Sequence, residues 1–531
     1  MNDLVVTLRR NRTRIITVAI LVVLFLLAVS GMSPKDWVIT TLRGVKDGAV
    51  IFLVAAGFSI ILGLMGVLNL AQGSLYMIGA YVGWSVFVRP DWFIDILTPL
   101  CLIAAGFLLQ PLWDRLLQRL SLPRRVAQIW PWVSLILAVA ILIFTVGRIP
   151  LAMWDWENYN DSPIVWTQHF ESGQISTLVE PAEWQNLPSA IGLLLLLLGG
   201  ALLSAGLAGL GHRQGPGRAG ADAQARRIPW TAIIIVLVLA AIGFGAYLAN
   251  DALTKAFFGL DTTLLFLIAV VVATLTGAGL GALMEATLIR PLYERHIYQI
   301  MMTFGLSFIG LEVVRAIWGR EGILMPRPSI FGGSGEGCPA SSLADWFQYR
   351  CSTLTLTIAG ETTRIRVYNE IFVIAVGLVV LVAVWLLLQR TRLGMIIRAG
   401  VQDSEMVEAL GINVRRVFTL VFALGVSIAA LGGVLSGPST GLSDQMGEHL
   451  LLGVLVALAV GGLTSYPGAA VGAVLVGLLQ QFIIKYGQIG IQLPFLEEPF
   501  KPTPPLVPAS TALLMIIILV VMPEGLLGRK E

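Results

Sequence analysis

The chain has 531 residues, of which 56% are hydrophobic and 13% are charged. Soluble domains carry roughly 25% charged residues, so this composition excludes an ordinary soluble protein. Apolar runs of about 20 residues, the length that a helix needs to cross a bilayer, recur along the chain. We therefore predict an all-α polytopic transmembrane bundle of about 13 to 14 spans in the lipid bilayer. The net charge of +3 is spread over the loops and gives no signature of nucleic-acid binding.

Basic residues near both ends predict the topology. Four arginines among residues 9–14 precede the first apolar run, and basic residues favour the cytoplasmic side of a membrane. Residues 1–43 are therefore predicted to form a cytoplasmic tail, an anchor helix and a short external segment, with a cleaved signal ending at Ser30 as the alternative. Arg529 and Lys530 predict that the C-terminus is cytoplasmic too.

Polar and glycine-rich sequence follows between two apolar runs. The segment Gly66–Tyr81 carries Asn69, Gln72 and Ser74 among several glycines. Because lipid cannot hydrogen-bond a loosened backbone, such sequence is stable at membrane depth only when it is buried in protein or lines a watery path. Two interpretations stay open: an element of a substrate pathway, or close helix packing through small residues.

The next part of the chain adds several predicted spans. Four arginines among residues 115–125 predict a cytoplasmic break between two of them. An acidic loop at 148–188 is expected outside, and a linker rich in arginine and glycine at 212–229 is expected inside. The residues of this part predict no specific function.

A long polar segment, residues 319–368, is expected on the external side, because long loops cross a membrane regardless of their charge. Cys338 and Cys351 both lie in this loop, where an oxidising compartment would let them form a disulfide. Two free thiols are the alternative. Cys101 lies within an apolar run, which favours a packing role.

Charged residues are dense in the stretch 389–416, which follows a predicted span. Ser404–Leu410 is predicted to form about two turns of helix that end at Gly411. Such a helix at the cytoplasmic face would suit docking into a groove on a soluble motor subunit. The alternative is an ordinary solvated loop.

Motifs that the chain lacks exclude several kinds of chemistry. No Gly-Lys dipeptide occurs, so no Walker A loop can hold a nucleotide phosphate, and no serine-hydrolase elbow or zinc-protease pair is present. The histidines are scattered without zinc spacing. Ionisable residues within apolar runs are few, which disfavours an ion-coupled carrier, and Glu312 with Arg315 is expected to form a local ion pair. We therefore predict a protein that is not an enzyme and that uses no cofactor or metal.

Five short motifs occur in a fixed order along the chain. They are Asn69–Met77, Arg290–Leu292, Arg398-Ala399 with Ala409–Asn413, Gly461-Gly462 with Pro467–Ala469, and Met522–Gly528. Together they resemble the integral-membrane permease of branched-chain amino acid ABC importers, a group that also includes urea and short-amide permeases. The resemblance covers residues 44–88 and 280–530, so 44–88 and 266–530 are predicted to be the two parts of a permease core.

The chain departs from this family pattern at two places. Gln72 stands where family members commonly have histidine, so a titratable group is missing near the implied pathway. Residues 89–265 look like an insertion, for which the resemblance implies no role.

The resemblance implies a multi-pass subunit of a bacterial inner membrane that has no ATPase activity of its own. Its implied partners are a second homologous permease, two cytoplasmic ABC ATPases that use ATP, and an external substrate-binding protein. The implied pathway residues are Asn69, Gln72, Gly73, Ser74 and Tyr76. The implied ATPase-coupling residues are Arg398, Asp403, Glu408, Gly411 and Asn413.

The neutral character of this pathway predicts the class of cargo. Small and neutral groups suit a zwitterionic, mostly apolar molecule, so branched-chain amino acids are the predicted substrate. Urea or a short amide is the alternative, since Asn69 and Gln72 can hydrogen-bond an amide equally well. A third interpretation is an ion-coupled secondary transporter.

Overall fold

A computed structural model describes most of the chain. It covers residues 12–528 apart from 120–122, 150–162, 173–183, 185, 212–229, 294, 359, 403 and 493–497. The chain divides into two compact units. The first consists of Met1–Phe87 with Asp261–Glu531, and the second of Val88–Leu260.

The first unit begins with three helices and continues after the second unit. Its helices are α1 (Arg12–Ser30), α2 (Pro34–Met65), α3 (Gln72–Val88), α11 (Thr262–Met284), α12 (His296–Trp318), α13 (Leu343–Tyr349), α14 (Val373–Arg390), α15 (Arg392–Gln402), α16 (Ser404–Ala409), α17 (Val414–Thr440), α18 (Met446–Gly461), α19 (Tyr466–Ile489) and α20 (Leu506–Val521). Two strands lie between α13 and α14: β1 (Thr353–Ile358) and β2 (Glu361–Arg366). Helical turns of other pitch are Glu285–Ile289, Arg290–Leu292, Ser329–Phe331 and Val367–Phe372.

The second unit is helical throughout its described residues. Its helices are α4 (Pro90–Phe107), α5 (Gln110–Arg119), α6 (Arg124–Val146), α7 (Pro163–Ser172), α8 (Ser189–Gly211), α9 (Trp230–Leu248) and α10 (Asn250–Phe258). Helices α4 and α8 pack together, with α6 against α8 and α9 against α4. Leu102, Leu193 and Leu196 form part of its apolar core.

Helix lengths agree with a chain that crosses a membrane many times. Among the described residues, nine helices are long and apolar enough to span a bilayer, and ten if α9 and α10, which meet at 74°, count as one span. Three shorter apolar helices are Ala19–Ser30, Met446–Gly461 and Leu506–Val521. The all-α polytopic fold is confirmed, whereas the described residues hold nine or ten candidate spans rather than the 13 to 14 predicted.

Helix α2 is the centre of the first unit. It starts where Ser33 accepts a hydrogen bond from the backbone N–H of Asp36 and Pro34 fixes the first turn, both of which favour a helix start. It then runs for 32 residues and packs along α19 and α17. Every residue from Gly48 to Ile61 is buried.

The loop at 319–368 is more ordered than its composition suggests. β1 and β2 pair antiparallel from Thr353 opposite Arg366 to Ile358 opposite Glu361. A disulfide joins Cys338 to Cys351, just before β1. The loop is therefore a small structured cap, with a hairpin that the sequence analysis did not predict.

The second unit covers nearly the same stretch as the predicted insertion, 89–265. That this stretch is an insertion stays a prediction.

Candidate functional site

The helical path breaks between α2 and α3, inside the predicted pathway motif. Gly66 takes a positive φ of 66°, and its N–H bonds the carbonyl of Leu62 to close the last turn of α2. Glycine adopts this left-handed conformation without the penalty of a Cβ atom. Residues 67–71 then run without helix until α3 begins at Gln72.

Thr303 of α12 supports the unwound backbone. Its hydroxyl lies 3.3 Å from the backbone nitrogen of Leu70, from which it accepts, and 3.2 Å from the carbonyl oxygen of Leu68. Thr303 is fully buried. A single side chain thus satisfies backbone groups that lipid would leave unpaired.

Asn69 and Gln72 form a buried pair of amides. The Nδ2 atom of Asn69 donates to Oε1 of Gln72 at 2.9 Å, and Nε2 of Gln72 donates to the carbonyl of Gly425 on α17 at 2.9 Å. Oδ1 of Asn69 accepts from the backbone N–H of Ala71. Both side chains have no solvent exposure, so they join the break to α17 through protein contacts.

Glycines let the helices approach closely around this pair. A Cβ atom added to Gly57 would lie 2.0 Å from the carbonyl oxygen of Gly425 and 2.6 Å from Nε2 of Gln72. One added to Gly73 would lie 2.5 Å from the carbonyl oxygen of Gly447 on α18. Small residues at such crossings are typical of membrane helix packing.

The remaining predicted pathway residues belong to the same buried region. The hydroxyl of Tyr76 lies 2.6 Å from that of Ser436 on α17, and Ser74 donates to the carbonyl of Ala71. The structure thus brings all five predicted pathway residues together at the crossing of α3 with α17 and α18. We call this set the amide layer. Its polar atoms bond within the protein, and its contact with substrate stays a prediction.

We call the charged stretch 389–416 the coupling segment, after its predicted role. It contains two short helices, α15 and α16, before α17 begins. The helix predicted over Ser404–Leu410 is present as Ser404–Ala409. Val407 is buried, whereas Glu408 is exposed and Leu410 is 74% exposed. Asp403 lies outside the described residues.

The end of this segment is fixed by two local features. Gly411 has a positive φ of 82°, and Asn413 caps α17 by accepting from the N–H of Arg416 at 3.2 Å. Arg398 on α15 donates to Oε1 of Gln389 at 2.8 Å. These contacts are all internal to the segment and its flanking helices, so its role in ATPase coupling stays a prediction.

A buried carboxylate network, absent from the sequence-based prediction, ties α11 to α17. Glu285 has no solvent exposure and accepts from Arg290 at 2.8 Å, from Tyr293 at 2.6 Å and from Thr419 at 2.5 Å. It opens the wide helical turn Glu285–Ile289, a geometry that often marks functional positions. We call these four residues the Glu285 network.

The Glu285 network brings a sequence motif into contact with the helix that follows the coupling segment. Arg290 belongs to the Arg-Pro-Leu motif, and Thr419 lies in the second turn of α17, which begins after Asn413. A carboxylate beside an arginine and a tyrosine eight or fewer residues away was readable as a local cluster. Thr419 is 134 residues from Glu285, so no local pattern in the sequence could indicate this contact.

The C-terminal part of α12 carries a second ion cluster. Arg315 bonds Glu312 at 2.7 Å, which confirms the expected ion pair, and also bonds Asp444 at 2.8 Å. Asp444 lies in the turn before α18, so this cluster joins α12 to that turn. The link to Asp444 was not predicted.

The structured cap is held to α11 through Asp261. The hydroxyl of Ser329 and then the N–H of Thr263 donate to this carboxylate, at 2.6 and 2.7 Å, and hold its pKa below the ordinary value. Arg350 lies 3.7 Å away from it. These bonds favour the ionised carboxylate.

These features define a polytopic helical membrane protein with a broken-helix polar layer in its core. The chain belongs to the family described as the permease component of the branched-chain amino acid transport system, whose model matches residues 40–210 and 228–522. The match includes most of the second unit.

Several curated relatives carry a related description. The chain is 33% identical over 152 residues to the high-affinity branched-chain amino acid transport system permease protein LivH of Escherichia coli (strain K12), which is 28% of this chain and 44% of that protein. It is 31% identical over 166 residues to BraD of Pseudomonas aeruginosa, named in the same way, which is 31% of this chain and 49% of BraD. Over 124 residues it is 33% identical to the fructose import permease protein FruF of Bifidobacterium longum, which is 22% of this chain and 34% of FruF.

The matched region spans less than half the length of each of these relatives. No solved structure matches the chain.

Proposed function

We propose that the chain is the membrane-spanning permease subunit of an ATP-driven importer that moves branched-chain amino acids into the cytoplasm. The observation that carries this proposal is the family match over both units of the chain. The names of LivH and BraD favour amino acids, whereas that of FruF shows that similar segments occur in permeases named for a sugar.

The partners follow from the proposed class of transporter. A second permease would complete the pathway, two ATPases would bind at the cytoplasmic face, and a substrate-binding protein would deliver cargo from outside. This arrangement puts the chain in a bacterial inner membrane with both termini cytoplasmic. The exposed side chains of Glu408 and Leu410 on the coupling segment support a contact with a separate protein.

The amide layer supplies the proposed contact with cargo. An amino acid carries an ammonium and a carboxylate, which need hydrogen bonds throughout their passage. Asn69 and Gln72 present neutral donors and acceptors that now bond each other and Gly425. Separation of α3 from α17 during transport would release those groups to the cargo, and their return to each other would let the cargo leave.

Uptake by proteoliposomes that contain the whole transporter tests the proposal. The cognate binding protein is placed outside and ATP inside, and labelled leucine, urea and fructose are compared. We expect leucine uptake that requires ATP. Uptake of urea or fructose without leucine would overturn the choice of substrate, and leucine uptake that needs an ion gradient rather than ATP would overturn the importer itself.

The variant Asn69→Leu tests the role of the amide layer in the same assay. It leaves the buried Oε1 of Gln72 without its donor, a loss of about 1–3 kcal/mol of stability. Asn369→Leu is the matched control, because Asn369 is also a buried asparagine and bonds only Ser439 among the described contacts. Equal leucine uptake by the two variants, at equal amounts of folded protein, would contradict a pathway role for Asn69.

A further inference from the structure

The second unit contains a cavity for which neither the family match nor the proposed transport cycle gives a role. It measures about 520 Å³ and lies between α5, α6 and α8. Its walls are mostly apolar, formed by Ile129 and Val133 of α6 with Leu202 and Ala205 of α8. A cavity of this size and character suits a hydrocarbon chain rather than a hydrated ion.

Two tryptophans and one arginine are part of the lining of this cavity. Trp113 of α5 and Trp130 of α6 line it together with Arg125, which is exposed at the start of α6. Tryptophan is enriched where a protein meets the headgroup region of a bilayer, because the ring is apolar and the indole N–H is polar. The cavity therefore runs from a headgroup level into an apolar interior.

One polar group of the lining has a hydrogen-bond partner within the protein and another has none among the described residues. Ser134 donates to the carbonyl of Leu202 at 2.7 Å. The indole Nε1 of Trp113 is buried and has no hydrogen-bond partner among the described residues. A buried donor without an acceptor destabilises the protein, and an oxygen atom of a ligand in the cavity would remove that penalty.

The charge near the cavity indicates the kind of ligand. Arg125 is the charged residue in the lining of the cavity, so an anion is favoured beside it. Basic pockets between membrane helices bind the headgroups of anionic lipids, which are enriched in the cytoplasmic leaflet. The predicted cytoplasmic position of residues 115–125 agrees with such a lipid.

We propose that this cavity binds an anionic phospholipid. One acyl chain fills the apolar space between α6 and α8, Arg125 pairs with the phosphate, and an ester or phosphate oxygen accepts from Nε1 of Trp113. The site gives the second unit a function of its own, which is to hold a lipid that bridges three of its helices.

Native mass spectrometry of the full-length protein in detergent tests the lipid site. Phosphatidylglycerol and phosphatidylcholine with the same acyl chains are titrated separately, and inorganic phosphate is added in a third series. We expect phosphatidylglycerol to bind about fivefold more tightly than phosphatidylcholine, the preference that one arginine gives near a membrane surface. Equal binding of the two lipids would overturn the proposal, as would displacement of phosphatidylglycerol by millimolar phosphate.

Two variants and a matched control locate the binding to the cavity. Arg125→Gln should remove the fivefold preference for phosphatidylglycerol. Trp113→Phe keeps an aromatic ring but lacks the N–H, so it should weaken phosphatidylglycerol binding by less than fivefold. The control is Arg148→Gln, because Arg148 follows the opposite end of α6 and stacks over Phe144 at 3.9 Å. Loss of the preference in Arg148→Gln, or its survival in Arg125→Gln, would overturn the assignment.

These measurements do not depend on transport. Failure of lipid binding leaves the proposed importer intact, and failure of leucine uptake leaves the lipid site intact.

Discussion

The amide layer and the coupling segment show opposite ways of using polar residues. Asn69 and Gln72 are fully buried and bond each other and the helix beside them. Glu408, near the end of the coupling segment, is exposed. The first region has its partners within the chain, so a change there acts on the fold. The second region has exposed groups, and we propose that they meet a partner outside the chain, so that a change there acts on assembly.

The largest expected effect is on the Glu285 network, which is buried like the amide layer. Glu285→Ala leaves Arg290, Tyr293 and Thr419 without their shared acceptor. Removing one partner of a buried ion pair costs about 3–5 kcal/mol, so the apparent unfolding temperature in detergent should fall sharply. Glu312→Ala is the control, because the side chain of Glu312 is 63% exposed and exposed pairs contribute about 0–1 kcal/mol. Similar losses in both variants would contradict the distinction between buried and exposed ions.

A change of one methyl group tests the close helix crossing at the amide layer. Gly57→Ala puts a carbon against the carbonyl of Gly425 and the amide of Gln72, and overpacking of this kind costs about 1–3 kcal/mol. Gly279→Ala is the matched control, because Gly279 is also within a membrane helix but has nothing within 4 Å of the added carbon. Thermal unfolding should separate the two. A Gly57→Ala protein as stable as the native one would show that the helices readily move apart.

A smaller effect is expected at the structured cap. The native pKa of Asp261 is lowered, so its contribution to stability is present above the ordinary carboxyl pKa of about 4 and is lost as pH falls through the lower native value. Asp261→Asn should therefore reduce stability at neutral pH, and the difference from the native protein should shrink in acid. Asp251→Asn, at an exposed position on α10, provides the control. A difference that is constant with pH would contradict a role for the ionised carboxylate.

The smallest change in stability is expected for a substitution in the coupling segment, although the same substitution should abolish transport. Glu408→Arg changes an exposed side chain, for which stability changes are usually within about 0.5 kcal/mol. If this side chain meets an ATPase, the reversed charge should abolish ATP-driven leucine uptake and weaken recovery of the ATPases in a pull-down. Normal uptake would remove Glu408 from the coupling mechanism.

The fold was largely predictable because apolar runs are local signals. Each predicted span coincides with a helix, whereas the end of α2 at Gly66 was not predicted. The hairpin was missed although Thr353–Ile358 alternates threonine with apolar residues, the period of a strand, because the whole loop was interpreted through its charge. Asp444 and Thr419 were missed for another reason: their partners are 129 and 134 residues away, and no local pattern reports such pairs.

The same limit applies to the candidate site. The sequence indicated that polar groups at Asn69 and Gln72 need either water or protein around them, and left both interpretations open. The structure supplies protein around them, through Gly425 of α17. That carbonyl is available because Gly57 allows α2 to approach α17 closely, which is a property of two distant helices together.

Thr303 has a consequence for the substitutions that this fold can accept over time. Its one hydroxyl accepts from the backbone nitrogen of Leu70 and lies beside the carbonyl of Leu68, so it replaces the neighbour that an unbroken helix would have provided. Serine keeps that hydroxyl, whereas valine keeps the shape and loses it. The side chains that position 303 can accept are therefore set by the non-helical backbone between α2 and α3. If that backbone became helical through Gly66, position 303 could become apolar.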